Sequence, residues 1–551
     1  MPIIRPAGGG YGDFQKVASG TNEHWRWEYR VGRGRLHGAE LARPIRKALE
    51  PLSGIKALRD TKTIHTAQQL AQVLLRFCSN TTLTFFLRTM PPSVTQDAAR
   101  EHDRLMEEAL YTLVGGARVG RNSPRWRVAV QQARLPVRMG GMGLTSAMDI
   151  REAAWVAQRF DELREAHKRL RALRDEVGKT WREWDGRTLY QDVVGPFQET
   201  KAVRRRRYHP PKLTPAAELL PLPEFSSTSE FLQQAQRRYT VGVHHRNWLA
   251  LAEAFVSEAS RRGGRYKTGR CKNHKCWREA IRFVAVSQEG AGAFLNAIPM
   301  RDDMKMETWA MRITVQRRLG LPLDVACQAV EAGKKAPNGK PHEELGDAAM
   351  VNPRAKHATR HKYLLKRLVK TLRSAWGMLI EMEPTAHLSY SNPKQPDVAA
   401  ANIGKGHVRL VGDLKLTSSL ACKGGDRLGW KGAFVAFGNT ERALLDLGDY
   451  RFAREKNCDL RLLDFETFGG FGDGVRKILR QAADQLSNKL SHAQHLDEVT
   501  WTTKNWHGLQ MQRLSVVLHT AVAWQTVNEL ACGDSGIVHG AKCIAVLNGV
   551  A

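Results

Sequence analysis

His407-Val-Arg-Leu-Val-Gly-Asp-Leu-Lys-Leu-Thr417 alternates in character along its length, the pattern of a half-buried β-strand. Val408, Leu410, Leu414 and Leu416 fall on one face, and Arg409, Asp413, Lys415 and Thr417 on the other. Asp413 and Lys415 are therefore same-face neighbours, about 7 Å apart along the strand. Upstream stands Pro396-Asp397, at the start of a second β-like segment, Asp397 to Ile403. The loop from Asn402 to Gly406 joins the two segments like a hairpin, so the two carboxylates can converge. Two acids and an ammonium in this order suit a divalent cation and a water set against a phosphate. The competing reading is an exposed strand face carrying a solvated ion pair.

The surroundings of this strand alternate helix and strand. Lys356 to Trp376 is a basic amphipathic helix with Leu364, Leu365, Leu368, Val369, Leu372 and Trp376 as its apolar stripe. β-like segments follow at 377–383, 397–403 and 407–417, then a helix from Thr440 to about Lys456. A further strand, 459–466, leads into Thr467-Phe-Gly-Gly-Phe-Gly472 and a helix at 474–490; a last helix covers 510–530. This order predicts a mixed sheet with helices on its faces. The first half is expected to be helical, with helices at 66–78, 97–114 and 150–177 and again across 228–335. Leu135-Pro-Val-Arg-Met-Gly-Gly-Met-Gly-Leu144 punctuates it as a glycine-permitted loop.

The 551 residues carry a formal charge of +30. So basic a chain points to a polyanionic partner, nucleic acid first, with an anionic membrane surface as the competing partner. Eight dispersed cysteines fit a reducing compartment. Neither a signal-peptide core nor an apolar run of membrane-spanning length is present. The expected setting is the nucleus, or else the cytoplasm.

Arg204, Arg205, Arg206 and Arg207 form a run beside Tyr208, and Arg261, Arg262 and Arg265 a second basic patch. Both suit phosphate contacts; a solvated turn or an import signal explains the first equally well. Cys271-Lys-Asn-His274-Lys-Cys276 holds three metal-capable groups at cramped spacing, and Cys327, His342, His357 and His361 are scattered. Zinc is accordingly not expected. A third acid for the Asp397–Asp413 pair would come from Glu381 or Glu383, each of which suits a strand-end surface equally well.

Several phrases, in order, resemble the proteins of non-LTR retrotransposons. Leu83-Thr-Phe-Phe-Leu-Arg-Thr-Met-Pro-Pro92 looks like the thumb-region phrase, and Gln132 to Ser146 the segment downstream of the polymerase domain. Arg317-Arg-Leu-Gly-Leu-Pro322 is similar to the stretch before the zinc knuckle. Arg360-His361, Pro396-Asp397, Asp413-Leu-Lys415, Lys456 and Asp464 to Gly472 resemble the restriction-enzyme-like PD-(D/E)xK endonuclease core. Where the family has Gly-Asp-His in its knuckle, this chain has Gly346-Asp347-Ala348, and a Tyr-x-Asp-Asp polymerase motif is absent; Tyr11-Gly-Asp-Phe14 does not replace it. The resemblance implies a chain that begins after the polymerase palm and does not polymerise.

It implies four regions: 1–195 helical and thumb- or connection-like, 196–335 a basic linker and helical region, 336–500 the nuclease, and 501–551 a C-terminal helix and tail. The expected fold is an α-helical N-terminal half and a mixed α/β restriction-endonuclease-like C-terminal domain. The expected function is Mg²⁺- or Mn²⁺-dependent nicking of target DNA. Asp397, Asp413, Lys415 and Lys456 would be catalytic, and Asp397, Asp413 and Glu383 would hold the metal. Arg360 and His361 would join the arginine patches in binding DNA or RNA, beside a reverse transcriptase partner or the upstream part of the same element. The alternatives are a non-catalytic nucleic-acid-binding remnant and a junction resolvase or repair nuclease with the same core.

Overall fold

The computed structural model describes residues 66–90, 92–115, 118–155, 157–158, 235–261, 266–267, 270–271, 274–335, 339, 341–351, 357–384, 395–401, 409–420, 457–487, 502 and 505–531. These are mostly helical, with a four-stranded mixed sheet in the C-terminal part. The helices are α1 (Ala67–Leu74), α2 (Thr84–Thr89), α3 (Pro92–Leu113), α4 (Pro124–Ala133), α5 (Ala235–Arg261) and α6 (His274–Val286). They continue as α7 (Thr308–Leu319), α8 (Asp324–Glu331), α9 (Asp347–Val351), α10 (His357–Trp376), α11 (Asp473–Ser487) and α12 (Trp506–Ala531). A short hairpin pairs β1 (Tyr266–Lys267) with β2 (Arg270–Cys271). The sheet consists of β3 (Ile380–Met382), β4 (Val398–Ala401), β5 (Arg409–Thr417) and β6 (Cys458–Glu466), in that spatial order. Among the described residues no helix is long and apolar enough to cross a membrane.

In the sheet β3, β4 and β5 run antiparallel, and β6 joins β5 in parallel. One face is apolar: Ile380, Val398, Ala400, Leu410, Leu414, Leu463 and Phe465 are buried there in the main core. Helix α10 covers it. Its Leu364, Leu365, Leu368 and Leu372 are each 0 % exposed, and burying each contributes about 1.5–3 kcal/mol. The periodicity expected for 356–376 is therefore realised, with Lys362, Lys366 and Lys370 on the outer side.

Helix α12 differs in kind, being apolar on most of its circumference and correspondingly buried on all sides. It packs against α7, α9, α10 and α11, and its Trp524 meets Trp309 edge to face at 4.8 Å. The main core thus draws on Trp126, Phe294, Leu368, Phe465 and Leu518 together, from both halves of the sequence.

The 135–144 loop is tight for a specific reason. Gly140 and Gly143 have φ of +84° and +73°, a region costly for side chains. At Gly141 a Cβ would come within 2.0 Å of the Leu135 carbonyl oxygen. The buried guanidinium of Arg318 holds this loop, donating to the Gly141 oxygen at 3.0 Å, the Val137 oxygen at 2.8 Å and the Ala291 oxygen at 3.0 Å. Gln132 donates to the Gly140 and Arg318 oxygens, both at 2.9 Å.

Helix α4 is absent from the sequence expectation. Its signals are short but present: Ser123 caps it by accepting from the Trp126 amide at 3.2 Å, and Pro124 opens its first turn. The expected helix over 66–78 is α1 followed by a π-turn at Leu75–Ser79. Beyond residue 158 the expected 150–177 helix, like the one at 440–456 and the loop at 402–406, lies outside the described residues.

The turn after β6 seats the sheet on the helical half. The Phe471 amide donates to the Glu289 oxygen at 3.0 Å. The Phe471 ring lies so close over Gly290 that a Cβ there would sit 2.8 Å from it.

Candidate functional site

Strand pairing assembles the carboxylates. Val398 pairs with Gly412, and the Asp397 amide donates to the Gly412 oxygen at 3.0 Å. Asp397, in the bend before β4, thus stands one residue beyond the Val398–Gly412 pair, next to the stretch of β5 that carries Asp413. The Asp397 side chain curls back: its Oδ2 accepts from the Leu414 amide at 2.6 Å. It does for β5 what a longer β4 would have done with backbone. His361, near the start of α10, closes the arrangement. Its Nε2 lies 3.4 Å from Asp397 Oδ2 and 3.0 Å from the Leu414 oxygen. The hydrogen bond to Asp397 raises the imidazole pKa above its ordinary value; the charges of Asp397 and Asp413 and the Leu414 carbonyl add to this, and burial opposes it.

Asp413 is 6 % exposed, and Lys415 Nζ stands 3.7 Å from its Oδ2. The expected same-face placement holds. Across the parallel pair, Asp464 is in register with Lys415 and Glu466 with Thr417, so both acids belong to the Asp413 face. Asp464 is 4 % exposed.

Glu466 is spent on structure. Its carboxylate accepts from the Ser419 amide and hydroxyl, the Thr467 hydroxyl and the Phe468 amide. Burial raises its pKa, opposed by those hydrogen bonds. It fixes the end of β5 against the turn after β6, and the Thr467 amide donates to the Thr417 oxygen at 2.9 Å beside it.

The other expected residues lie apart from this group or outside the described region. Glu383 is exposed, with φ +49°, and is joined to the site by its backbone: its amide donates to the Asp397 oxygen at 2.8 Å. Glu381 pairs with Arg409 at 3.1 Å. Arg360 is 5 % exposed and turned inward, its Nη1 3.5 Å from Met350 Sδ; burial, foremost, and the neighbouring Arg317 lower its pKa to about 10. Arg261 pairs with Glu258 at 2.9 Å on the outside of α5. Lys456, Arg204 to Arg207, Arg262 and Arg265 lie outside the described residues, and of His274, Cys276 and His357 only the backbone is described.

Among the described residues no three His, Cys, Asp or Glu side chains form a metal-holding group. What stands close along β5 is the Asp397 carboxylate, bonded to the Leu414 amide, the Asp413 carboxylate of the preceding residue, and the Leu414 carbonyl, which meets His361 Nε2 at 3.0 Å; all are oxygen donors. That set fits a hard cation such as Mg²⁺, which takes one or two carboxylates and fills its shell with water and phosphate oxygens. Asp464 and Glu466 escaped the sequence reading as site-face acids; the parallel register that brings them there has no local signature, although alternation within 458–466 marks them as same-face residues.

No family model matches the chain, and no curated protein matches it.

Proposed function

We propose that this protein is a metal-dependent DNA endonuclease that nicks duplex DNA, derived from a non-LTR retroelement and acting through a restriction-endonuclease-like PD-(D/E)xK core. The observation that carries the reading is the neighbourhood of Asp397, whose carboxylate accepts from the Leu414 amide, with Asp413 and Lys415, which flank Leu414 on β5 and stand 3.7 Å apart. The order α10, three antiparallel strands and a parallel fourth strand followed by α11 supports it.

A Mg²⁺ or Mn²⁺ held by Asp397 and Asp413 would polarise the scissile phosphate and acidify a water. The chain's own groups have separable roles. The Leu414 amide and His361 hold the Asp397 carboxylate in orientation. Lys415, tethered electrostatically to Asp413, stabilises negative charge developing on the phosphate. Asp464, in register with Lys415 on the neighbouring strand, is the candidate third acid. Lys456 is proposed as a further phosphate contact from the resemblance alone.

Nicking of supercoiled plasmid with Mg²⁺ tests the reading. Asp413→Ala should lower the rate by at least about a hundredfold while DNA binding in low salt persists. Equal nicking by wild type and variant ends the catalytic assignment. Binding without any nicking by either favours the remnant reading, in which the chain holds nucleic acid and does not cut.

A further inference from the structure

We propose that the outer face of α10 is the docking surface for the sugar-phosphate backbone of the duplex. Lys362, Lys366 and Lys370 are exposed and follow one another at intervals of four residues; Arg373 is exposed three residues on. At 100° per residue the four cations fall within an arc of about 80° and span roughly 16 Å along the axis. Tyr363, 52 % exposed, borders the same arc.

The helix contains no Asp or Glu between His357 and Trp376. Among the described residues none of the three lysines is paired with an acid. Elsewhere exposed cations are commonly neutralised locally, as Arg104 is by Glu101 and Glu108, and Lys477 by Asp473. Like charges spaced at one helical turn repel and destabilise the helix slightly. Here the apolar inner stripe holds the helix in place and leaves the three lysines unspent, while Arg373 donates to the Ile380 oxygen at 3.1 Å.

Placement adds to charge. His361, which touches Asp397, precedes Lys362 in the chain, so the stripe begins at the end of α10 that meets Asp397. A rigid row of ammonium groups leading away from the site suits phosphates flanking the scissile one, and reads no sequence. The choice of DNA rests on the nuclease reading above; the polyanionic backbone follows from the charge itself.

The test uses the full chain in EDTA, where binding is separated from cutting. Lys362→Gln, Lys366→Gln and Lys370→Gln are combined and compared with a control, Arg100→Gln, Lys305→Gln and Lys477→Gln, which removes the same charge from paired surface positions. The slope of log affinity against log salt for a short duplex is the readout. The stripe variant should lose about 2 to 3 in slope, near 0.9 per phosphate contact released, and the control less than about 1. Thermal unfolding and helix content unchanged from wild type certify the fold. An unchanged slope, an equal loss in the control, or a loss seen only on duplex RNA or on phosphatidylserine vesicles overturns the proposal. A reduced slope in a chain whose wild type never nicks leaves the stripe standing and removes the nuclease; the reverse result does the opposite.

Discussion

Arg318 and Lys415 are both cations on regular elements, and the chain uses them in opposite ways. Arg318 is 2 % exposed and its guanidinium serves three loop carbonyls. Burial, and the charges of Arg282 and Arg76, pull its pKa to about 9. Lys415 is a third exposed and has one carboxylate at 3.7 Å. That pair, with one partner buried and the other a third exposed, contributes about 1 kcal/mol, whereas a buried donor bonded to three carbonyls is worth several times more. The arginine hub holds the molecule together. The carboxylate edge contributes less to stability, and its ammonium stays a third exposed.

That contrast can be broken most forcefully at the hub. Arg318→Ala removes one donor each from the Val137, Gly141 and Ala291 oxygens and leaves a cavity. We expect a loss of about 3–5 kcal/mol in urea unfolding; a loss under about 1 kcal/mol would show that the loop is held by something else. Acid probes the same neighbourhood. Burial, with Arg318 adding, lowers the His519 pKa to about 3, and burial lowers that of His244 to about 4. Both stay neutral when folded and gain a proton on unfolding below about pH 6.5, so stability is present above that pH and falls as pH drops. The slope should approach 1 kcal/mol or so per pH unit for each histidine, and His519→Gln should flatten it. Gly141→Ala, meeting the Leu135 oxygen, should cost about 1–3 kcal/mol, read as a lower midpoint at unchanged slope. Least of all, Lys415→Met should cost about 1 kcal/mol or less, and under the proposed nuclease reading it should abolish nicking. A Lys415 variant that unfolds with the hub variants would erase the distinction between the two regions.

Much of this was legible from residues alone. Alternation in 409–417 gave the strand and its two faces, and the stripe of Leu364 to Leu372 gave α10, because each signal is local and repeats with the period of its element. The antiparallel pairing of β4 with β5 was reachable because a short connection between two strands implies an antiparallel hairpin. The contact of His361 with Asp397 was not, since it depends on how α10 lies across the sheet. Arg317 and Arg318 defeat composition outright. A charged pair near the end of a helix is expected in water, yet both are buried, Arg318 against carbonyls and Arg317 over the Phe468 ring at 5.0 Å. Only the folded path of the 135–144 loop and of the turn after β6 supplies those partners. Helix α4 was a different failure: its cap and its apolar positions Trp126, Ala129, Val130 and Ala133 were readable, but the run is short.

The seat of Phe471 on Glu289 and Gly290 also bears on how such a chain can be recombined. A genetic exchange that moved the sheet to a new context without residues 289–291 would deliver a ring with no shelf beneath it and a backbone amide with no acceptor. The sheet is therefore not a portable cassette. It is inherited together with the helical residues against which its last turn closes.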